Sequence, residues 1–223
     1  MDKYKASVFV RTFAAVHFYF KLLGFRDGIW FALSLIYSGK ETIYCSGLKK
    51  LNIENSSVPS GGLSFRLIET AQQYDEIISD YAHVKGPVLS KLDRNRIVNG
   101  TELLALIYDG KEFAGWGWVY KGPLRYGNIR VSNDDCVIHK CRTLPEHRGK
   151  GVYFNLLLNL KFTLAKRGFE KVYIGAKSFN QASLSGIEKA GFDFVEECDL
   201  GAFPARLFHH LRGKGSKVLR GGG

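Results

Sequence analysis

Residues 63–98 show first the apolar period of a strand and then that of a helix. The segment LSFRLIE (63–69) alternates apolar and polar residues, which predicts a half-buried strand. The segment TAQQYDEIISDYAHV (70–84) has helical spacing and begins at Thr70, a residue type that caps helices. PVLSKLDRNRIV (87–98) predicts a second helix with its proline near the start.

Three further strands are predicted in the middle of the chain. ELLALIYD (102–109) and FAGWGWVYK (113–121) are separated by three residues that include a glycine, so we expect a hairpin. Gly115 and Gly117 share one face of its second strand, where they either allow close packing or leave room for a ligand. We favour packing. DCVIHKCRT (135–143) predicts another strand.

Helices and strands alternate after this point. The predicted elements are helix 152–167, strand 171–176, helix 180–190, strand 192–197 and a last strand 205–211. Gly168 and Gly191 lie where glycine commonly ends a helix. The pattern predicts an α/β fold with a mixed sheet, antiparallel in its first half and with crossover helices later.

The N-terminal residues 1–62 form an apolar, basic extension. Residues 7–37 are rich in apolar and aromatic side chains, yet the uncharged run Gly28–Gly39 is shorter than the roughly 18–20 residues that span a bilayer. Two interpretations stay open. The extension packs against the protein or a second subunit of a homodimer, which we favour, or it makes peripheral contact with a membrane through residues 7–37.

The boundaries of the domain follow from composition. ETIYCSGLKKLNI (41–53) predicts a strand, and ENSSVPSGG (54–62) has the Ser, Pro and Gly content of a linker. We therefore expect a domain at residues 63–211. Residues 212–223 are predicted to form a basic, flexible tail.

The positive charge lies mainly at the two ends of the chain. The net charge is +11, but the 138 residues between 63 and 200 hold 19 basic and 17 acidic side chains. A basic nucleic-acid groove through the domain is therefore not expected, whereas a phosphorylated small molecule remains a suitable anionic partner.

The cysteines predict neither a metal site nor a disulfide framework. Cys45, Cys136, Cys141 and Cys198 include no C-x-x-C pair. We expect reduced thiols in the cytoplasm, with membrane association as the alternative location.

The stretch EHRGKGVY (146–153) joins a predicted strand to an apolar helix. Glycines and cations are costly at a helix start, because glycine is a poor helix former and positive charge opposes the helix dipole. They are useful if backbone N–H groups hold an anion there. Arg148 and Lys150 would add charge to such a site, although neither the P-loop nor the dinucleotide glycine pattern is present.

The combination of TLPEHRGKGVYFNLLL (143–158) and NQASLSGIEKAGF (180–192) resembles the GNAT superfamily of acyl-CoA N-acyltransferases. The family's loop, R/Q-x-x-G-x-G/A, corresponds to Arg148, Gly151 and Tyr153, so a tyrosine replaces the last small residue. The resemblance covers about residues 64–211. It implies a mixed, mostly antiparallel central sheet flanked by helices.

The resemblance also implies the residues that hold the cofactor. Cys141, Arg142 and Thr143 would bind the pantetheine arm and thioester through their backbone. Asn180 would face the cofactor, with Ser183 nearby. The pyrophosphate would lie on the backbone of the loop and first helical turn, formed by Arg148, Gly149, Lys150, Gly151, Val152, Tyr153 and Phe154.

The groups that usually move protons in the family are absent from their positions. The tyrosine seven residues after the family's asparagine is Ile187 here, and the glutamate five residues before it is Gly175. His139 is our candidate catalytic residue, because it lies on the strand that leads into the loop and imidazole titrates near neutral pH. Asp134 and Asp135 are further candidates, although SNDD (132–135) is typical of a turn.

We therefore expect a transferase that moves an acetyl group from acetyl-CoA to the primary amine of a small acceptor, with an amino sugar as the first guess. That guess comes from the extension, which resembles those of members linked to polysaccharide biosynthesis. The alternatives are a long-chain N-acyltransferase at a membrane surface and a non-catalytic coenzyme A-binding module.

Overall fold

The structure is a computed structural model that describes residues 40–49, 51, 62–80 and 91–199. Residues Thr42–Glu197 form one compact unit, and a second unit comprises Met1–Glu41 with Cys198–Gly223. Nearly all described residues belong to the first unit. Among the described helices, none has the length and apolarity that a membrane crossing requires.

The described chain contains nine strands and four α-helices, plus a short 3-10 helix at Pro145–His147. The strands are β1 (Lys40–Gly47), β2 (Leu63–Ile68), β3 (Glu102–Asp109), β4 (Glu112–Lys121), β5 (Leu124–Tyr126), β6 (Ile129–Val131), β7 (Asp135–Thr143), β8 (Lys171–Lys177) and β9 (Asp193–Asp199). The helices are α1 (Ala71–Asp80), α2 (Lys91–Val98), α3 (Val152–Lys166) and α4 (Gln181–Lys189).

Seven strands form one mixed sheet in the order β2-β3-β4-β7-β8-β1-β9. The pairs β2–β3, β3–β4 and β4–β7 are antiparallel, and β7–β8 is parallel. This confirms the predicted α/β fold with its antiparallel first half and later crossovers. The predicted strand 205–211 lies outside the described residues.

Strand β1 has a position that the sequence analysis did not predict. We had assigned it to the extension, but it lies inside the sheet, between β8 and β9. Ile43 is fully buried, and the Tyr44 hydroxyl donates a hydrogen bond to Glu188 Oε1 of α4 at 2.7 Å. The edge of the sheet domain therefore does not coincide with the linker before residue 63.

Helices α3 and α4 cover one face of the sheet. Their apolar side chains share a continuous core with β3, β7 and β8, and the buried residues include Leu156, Leu160, Leu184 and Ile187. The helical period of α3 explains this burial, because Leu156 and Leu160 recur one turn apart. This face carries the loop between β7 and α3.

Other elements cover the opposite face. Helix α2 contacts β3 and α1 contacts α2. The β5–β6 hairpin, which the sequence analysis missed, packs through Val131 against Val137 of β7 and Tyr173 of β8. The turn between its strands consists of Gly127 and Asn128, two residue types that are common in hairpin turns.

Candidate functional site

Strands β7 and β8 part before either of them ends. Their parallel register runs from Asp135–Lys171 to Ile138–Ile174, whereas β7 continues to Thr143 and β8 to Lys177. Beyond Ile138 one edge of β7 therefore faces a gap instead of β8. An extended ligand can lie in such a gap and bond to strand backbone groups.

A β-bulge shapes β7 where it borders this gap. Trp116 pairs with Arg142 and Trp118 pairs with His139, so Gly117 stands opposite two residues of β7. One of these, Lys140, has a positive φ of 52°. A bulge reorients the side chains that follow it, and such irregularities commonly occur next to functional sites.

Gly115 and Gly117 of β4 allow β7 and α3 to pack closely against β4. A Cβ at Gly115 would overlap the carbonyl oxygen of Arg142. A Cβ at Gly117 would lie 2.9 Å from Cys141 Sγ and 3.4 Å from Leu156 Cδ2. The glycines therefore allow packing against β7 and α3, as the sequence analysis favoured.

The loop between β7 and α3 exposes an uncapped helix N-terminus. Gly149 and Gly151 have positive φ values of 78° and 74°, a backbone conformation that favours glycine. Gly151 is the N-cap, yet no side chain caps the helix and no acidic residue occupies its first turn. The first backbone N–H groups of α3, from Val152 to Phe154, have no intrahelical acceptor and can bind an anion.

A buried histidine anchors the loop to the β3–β4 hairpin. The side chain of His147 is 3% exposed, and its Nδ1 lies 3.1 Å from Asp109 Oδ2. Lys150 Nζ donates to the same carboxylate oxygen at 3.2 Å. These contacts hold the pKa of Asp109 below its usual value, Lys150 having the larger effect. The sequence analysis predicted Lys150 for the phosphate site but missed this anchor.

Tyr153 lies near both α4 and β7, on the face of the sheet covered by α3 and α4. Its ring packs so closely against Gly186 of α4 that a Cβ at Gly186 would lie 2.7 Å from Tyr153 Cδ1. Burial, and to a smaller extent the nearby thiol of Cys141 in β7, raises the pKa of Tyr153. The phenol therefore stays protonated at neutral pH.

Cys141 does not have the properties of a nucleophile. Burial raises the pKa of its thiol to about 12, so thiolate is scarce at neutral pH. Its Sγ lies over Gly117. The backbone of Cys141, Arg142 and Thr143 lies in the part of β7 that borders the gap, where the sequence analysis placed the cofactor arm.

Asn180 begins α4 as its N-cap. Its Oδ1 accepts a hydrogen bond from the backbone N–H of Ser183 at 3.3 Å. Ser183 precedes Gly186 by one helical turn, so both lie on the same side of α4 as the ring of Tyr153. The structure thus brings Ser183 and Tyr153 to one region, while the predicted contact of Asn180 with a cofactor stays a prediction.

His139 faces the other side of the sheet from Tyr153. Its Nε2 is inaccessible to solvent, has no hydrogen-bonding partner, and lies 3.7 Å from Glu102 Oε2. The carboxylate of Glu102 also accepts a hydrogen bond from Arg96 at 3.3 Å. Burial, with a smaller effect of Lys140, lowers the pKa of His139 to about 3.

This environment makes His139 a neutral, weak base at pH 7. The sequence analysis chose it for an ordinary imidazole pKa, which the structure does not provide. Of the two aspartate candidates, Asp134 lies in the turn before β7 and Asp135 is the first residue of β7. The carboxylate of Asp135 accepts a hydrogen bond from the Ser132 hydroxyl at 2.8 Å, and the Asp134 backbone N–H donates to Ser132 Oγ at 3.3 Å.

Comparison with known proteins identifies the domain. Residues 68–192 match the family model described as the acetyltransferase (GNAT) family. No curated protein matches.

Solved structures of this fold are similar at low sequence identity. A GCN5-related glucosamine N-acetyltransferase region in a fungal multi-domain β-N-acetylglucosaminidase is 10% identical, with a TM-score of 0.52 over 78% of this chain and 22% of that one. A Drosophila protein is 12% identical, with a TM-score of 0.47 over 73% of this chain and 50% of that one.

An aminoglycoside 6'-N-acetyltransferase from Acinetobacter baumannii is 17% identical, with a TM-score of 0.44 over 60% of this chain and 93% of that one. This chain thus spans half or less of the Drosophila and fungal chains. The family model covers more than half of this chain and includes β3 to α4 with the loop between β7 and α3, so the chain belongs to the GNAT family of acetyltransferases.

Proposed function

We propose that the protein transfers an acetyl group from acetyl-CoA to the primary amine of a small acceptor. The observation that supports this most strongly is the continuity between two features of one strand. The parting of β7 from β8 leads directly into the loop whose glycines expose the N-terminus of α3. A long ligand with an extended arm and a phosphorylated end suits both features.

The residues present fit such a donor. Among the described residues, a Cβ at Gly149 would meet no atom within 4 Å and a Cβ at Gly151 would meet only the Asn155 side chain at 3.5 Å, so the loop backbone is accessible to a bulky anion. Arg148 is exposed beside the loop and adds positive charge. When bound, the thioester of acetyl-CoA supplies the activated acyl group.

The protein's own contribution would be positioning and charge stabilisation. The backbone of Cys141, Arg142 and Thr143 would hold the donor's arm, and backbone N–H groups at Val152, Tyr153 and Phe154 would hold its pyrophosphate. A preorganised N–H near the reacting carbonyl stabilises the charge that develops on oxygen. The acceptor attacks as the free amine, so its ammonium form must first lose a proton.

The proposed acceptor is a small amine of the amino-sugar class. The extension's resemblance suggests an amino sugar, and glucosamine, the acceptor named for the fungal region, is the first compound to test. A cytoplasmic location, a homodimer and membrane contact through residues 7–37 remain predictions. Those N-terminal residues lie outside the described residues.

Calorimetry with acetyl-CoA tests the donor site. Wild type, Gly151→Trp and Gly168→Trp form a matched set, because both glycines have positive φ, 74° and 84°, and flank opposite ends of α3. Both variants therefore carry similar backbone strain, whereas only Gly151→Trp obstructs the loop.

We expect wild type and Gly168→Trp to bind and Gly151→Trp to lose binding by at least about tenfold, about 1.4 kcal/mol. Circular dichroism confirms that all three are folded. Failure of wild type to bind both acetyl-CoA and longer acyl-CoA would refute the proposal. Binding without thiol release on any amine would favour the non-catalytic module, and preference for long acyl chains would favour the membrane-surface transferase.

A further inference from the structure

The reaction proposed above leaves one chemical requirement without a residue. When the carbon–sulfur bond breaks, its electron pair moves to sulfur, and negative charge develops there. A hydrogen-bond donor beside the sulfur would stabilise that charge. Positions 187 and 175 hold isoleucine and glycine, and neither side chain can donate.

Tyr153 is a polar residue in an unexpected place. The family's loop has a small residue here, yet this chain has a phenol whose ring lies between Gly186 of α4 and Cys141 of β7. The ring, which belongs to α3, therefore contacts α4 at the residue before position 187. Tyr153 is half-buried, and within the described residues its hydroxyl forms no hydrogen bond.

Gly186 provides the space that the ring of Tyr153 occupies beside α4. A glycine inside a helix costs about 1 kcal/mol relative to alanine, and α4 has one where a Cβ would lie 2.7 Å from the tyrosine ring. The large residue on α3 and the absent side chain on α4 are complementary. Together they place the phenol near Cys141, in the part of β7 that lies beyond its pairing with β8.

Other donors near the gap are poorly suited. The Cys141 thiol belongs to a partly buried side chain and is packed over Gly117. His139 lies on the other face of β7, with its Nε2 inaccessible to solvent. Among the described side chains around this part of β7, Tyr153 combines a free hydroxyl with the correct face.

We infer that Tyr153 is a catalytic residue whose hydroxyl donates a hydrogen bond to the sulfur of the leaving coenzyme A. This inference rests on the proposed function. In the reaction the amine nitrogen forms a bond to the carbonyl carbon, and the carbon–sulfur bond breaks with its electron pair going to sulfur. The proton lost by the amine ends on sulfur through solvent, and the phenol keeps its own.

Tyr153→Phe removes only the hydroxyl and tests the inference directly. Tyr173→Phe is the matched control, because Tyr173 is a tyrosine of the same domain that lies on the opposite face of the sheet. The first readout is the pKa of the thiol of bound coenzyme A, followed by the ultraviolet absorbance of its thiolate. The second is acetyl transfer at saturating donor.

We expect wild type and Tyr173→Phe to lower the bound thiol's pKa by about one unit relative to free coenzyme A, and Tyr153→Phe to abolish that shift. The kcat of Tyr153→Phe should fall at least about tenfold. Calorimetry should show that wild type prefers coenzyme A over its desulfo analogue at high pH, and that Tyr153→Phe does not.

The outcomes separate this inference from the proposed function. If wild type transfers acetyl groups while its bound thiol keeps the pKa of free coenzyme A, the inference is overturned whatever the variant does. It is also overturned if Tyr153→Phe retains the rate and the thiol shift. Absence of any acyl-CoA binding by wild type overturns the proposed function itself.

Discussion

Lys161 illustrates how one charged side chain joins two helices inside the core. It lies in α3 and is 6% exposed, and its Nζ donates hydrogen bonds of 2.8 Å to the carbonyl oxygens of Ala190 and Gly191. Those carbonyls end α4, where the helix dipole is negative and a cation is favourable. The ammonium group also lies 5.0 Å from the ring centre of Phe192.

Replacing Lys161 by methionine should destabilise the protein by about 2 kcal/mol, because two carbonyl oxygens at the end of α4 lose their donor. Chemical denaturation measures this. Lys166→Met, at an exposed position of the same helix, should change the free energy of unfolding by less than about 0.5 kcal/mol. Equal effects of the two variants would show that the buried hydrogen bonds contribute little.

Asp109 should make the loop anchor sensitive to acid. Its pKa is lowered in the folded protein by Lys150 and His147. The stabilisation is therefore fully present above the unfolded pKa of about 4 and is lost as pH falls through the folded value. Asp109→Asn should be less stable than wild type at pH 7, and the difference should shrink toward pH 3.

The control for this pH series is Glu146→Gln, an exposed residue of the same loop. We expect its unfolding curve to follow that of wild type more closely at both pH values. A difference between Asp109→Asn and wild type that stays constant with pH would contradict the assigned role of the carboxylate.

The role of a single residue could be predicted from the sequence only where its interaction partners are nearby in the chain. Thr70 was predicted as a cap, and its Oγ1 accepts from the Gln73 backbone at 3.2 Å, three residues away. The anchor between His147 and Asp109 joins positions 38 apart, so no local pattern indicates it. The lowered pKa of His139 was likewise not predictable from local sequence, because the burial that lowers it comes from tertiary packing.

At the scale of elements, the packing of α3 on α4 depends on the pair Tyr153 and Gly186. Gly186→Ala should improve helix propensity by about 1 kcal/mol but force its Cβ against the tyrosine ring, which costs about 1–3 kcal/mol. We expect net destabilisation in wild type and net stabilisation in a Tyr153→Ala background. Urea unfolding of the four proteins in this cycle measures the coupling.

The control for the cycle is Ser185→Ala on the same helix, a substitution that adds no Cβ beside the ring. Its small effect should be the same in both backgrounds. If Gly186→Ala also has equal effects with and without the tyrosine ring, the two residues are not coupled and the proposed placement of the phenol loses its support.

Element boundaries were largely predictable because period and capping signals lie within each segment. The predicted strand 135–143 matches β7, and Gly168 and Gly191 both have the positive φ of a helix-ending glycine. The β5–β6 hairpin was missed because its strands have only three residues each, too few for a period to appear.

At the scale of the whole molecule, strand order could not be read from the same signals. The residue pattern of β1 predicts that it is a strand of a sheet, but it does not indicate which strands are its neighbours. Linker composition placed residues 41–53 before the domain, whereas tertiary structure places β1 between β8 and β9. The gap that forms the candidate site is likewise a property of two strands far apart in sequence.

The position of β1 leads to a prediction about where the chain can be shortened. A chain that begins at Leu63 would lack an interior strand and would leave β8 and β9 without the neighbour they share. It would also lose Ile43 and Leu48, which are 0% and 1% exposed, and the hydrogen bond from Tyr44 to Glu188. We expect this shortened chain to lose cooperative unfolding, since unpaired interior strand edges promote aggregation.

Point substitutions in the intact chain separate this effect from loss of the apolar N-terminal residues. Ile43→Ala should cost about 2–5 kcal/mol, as expected of a fully buried side chain, whereas Val195→Ala, 41% exposed on β9, should cost less than about 1 kcal/mol. Thermal unfolding monitored by circular dichroism distinguishes them. A cooperative transition in the chain beginning at Leu63, together with a small cost for Ile43→Ala, would mean that β1 is not part of the sheet in solution, and the linker before residue 63 would then mark the true edge of the domain.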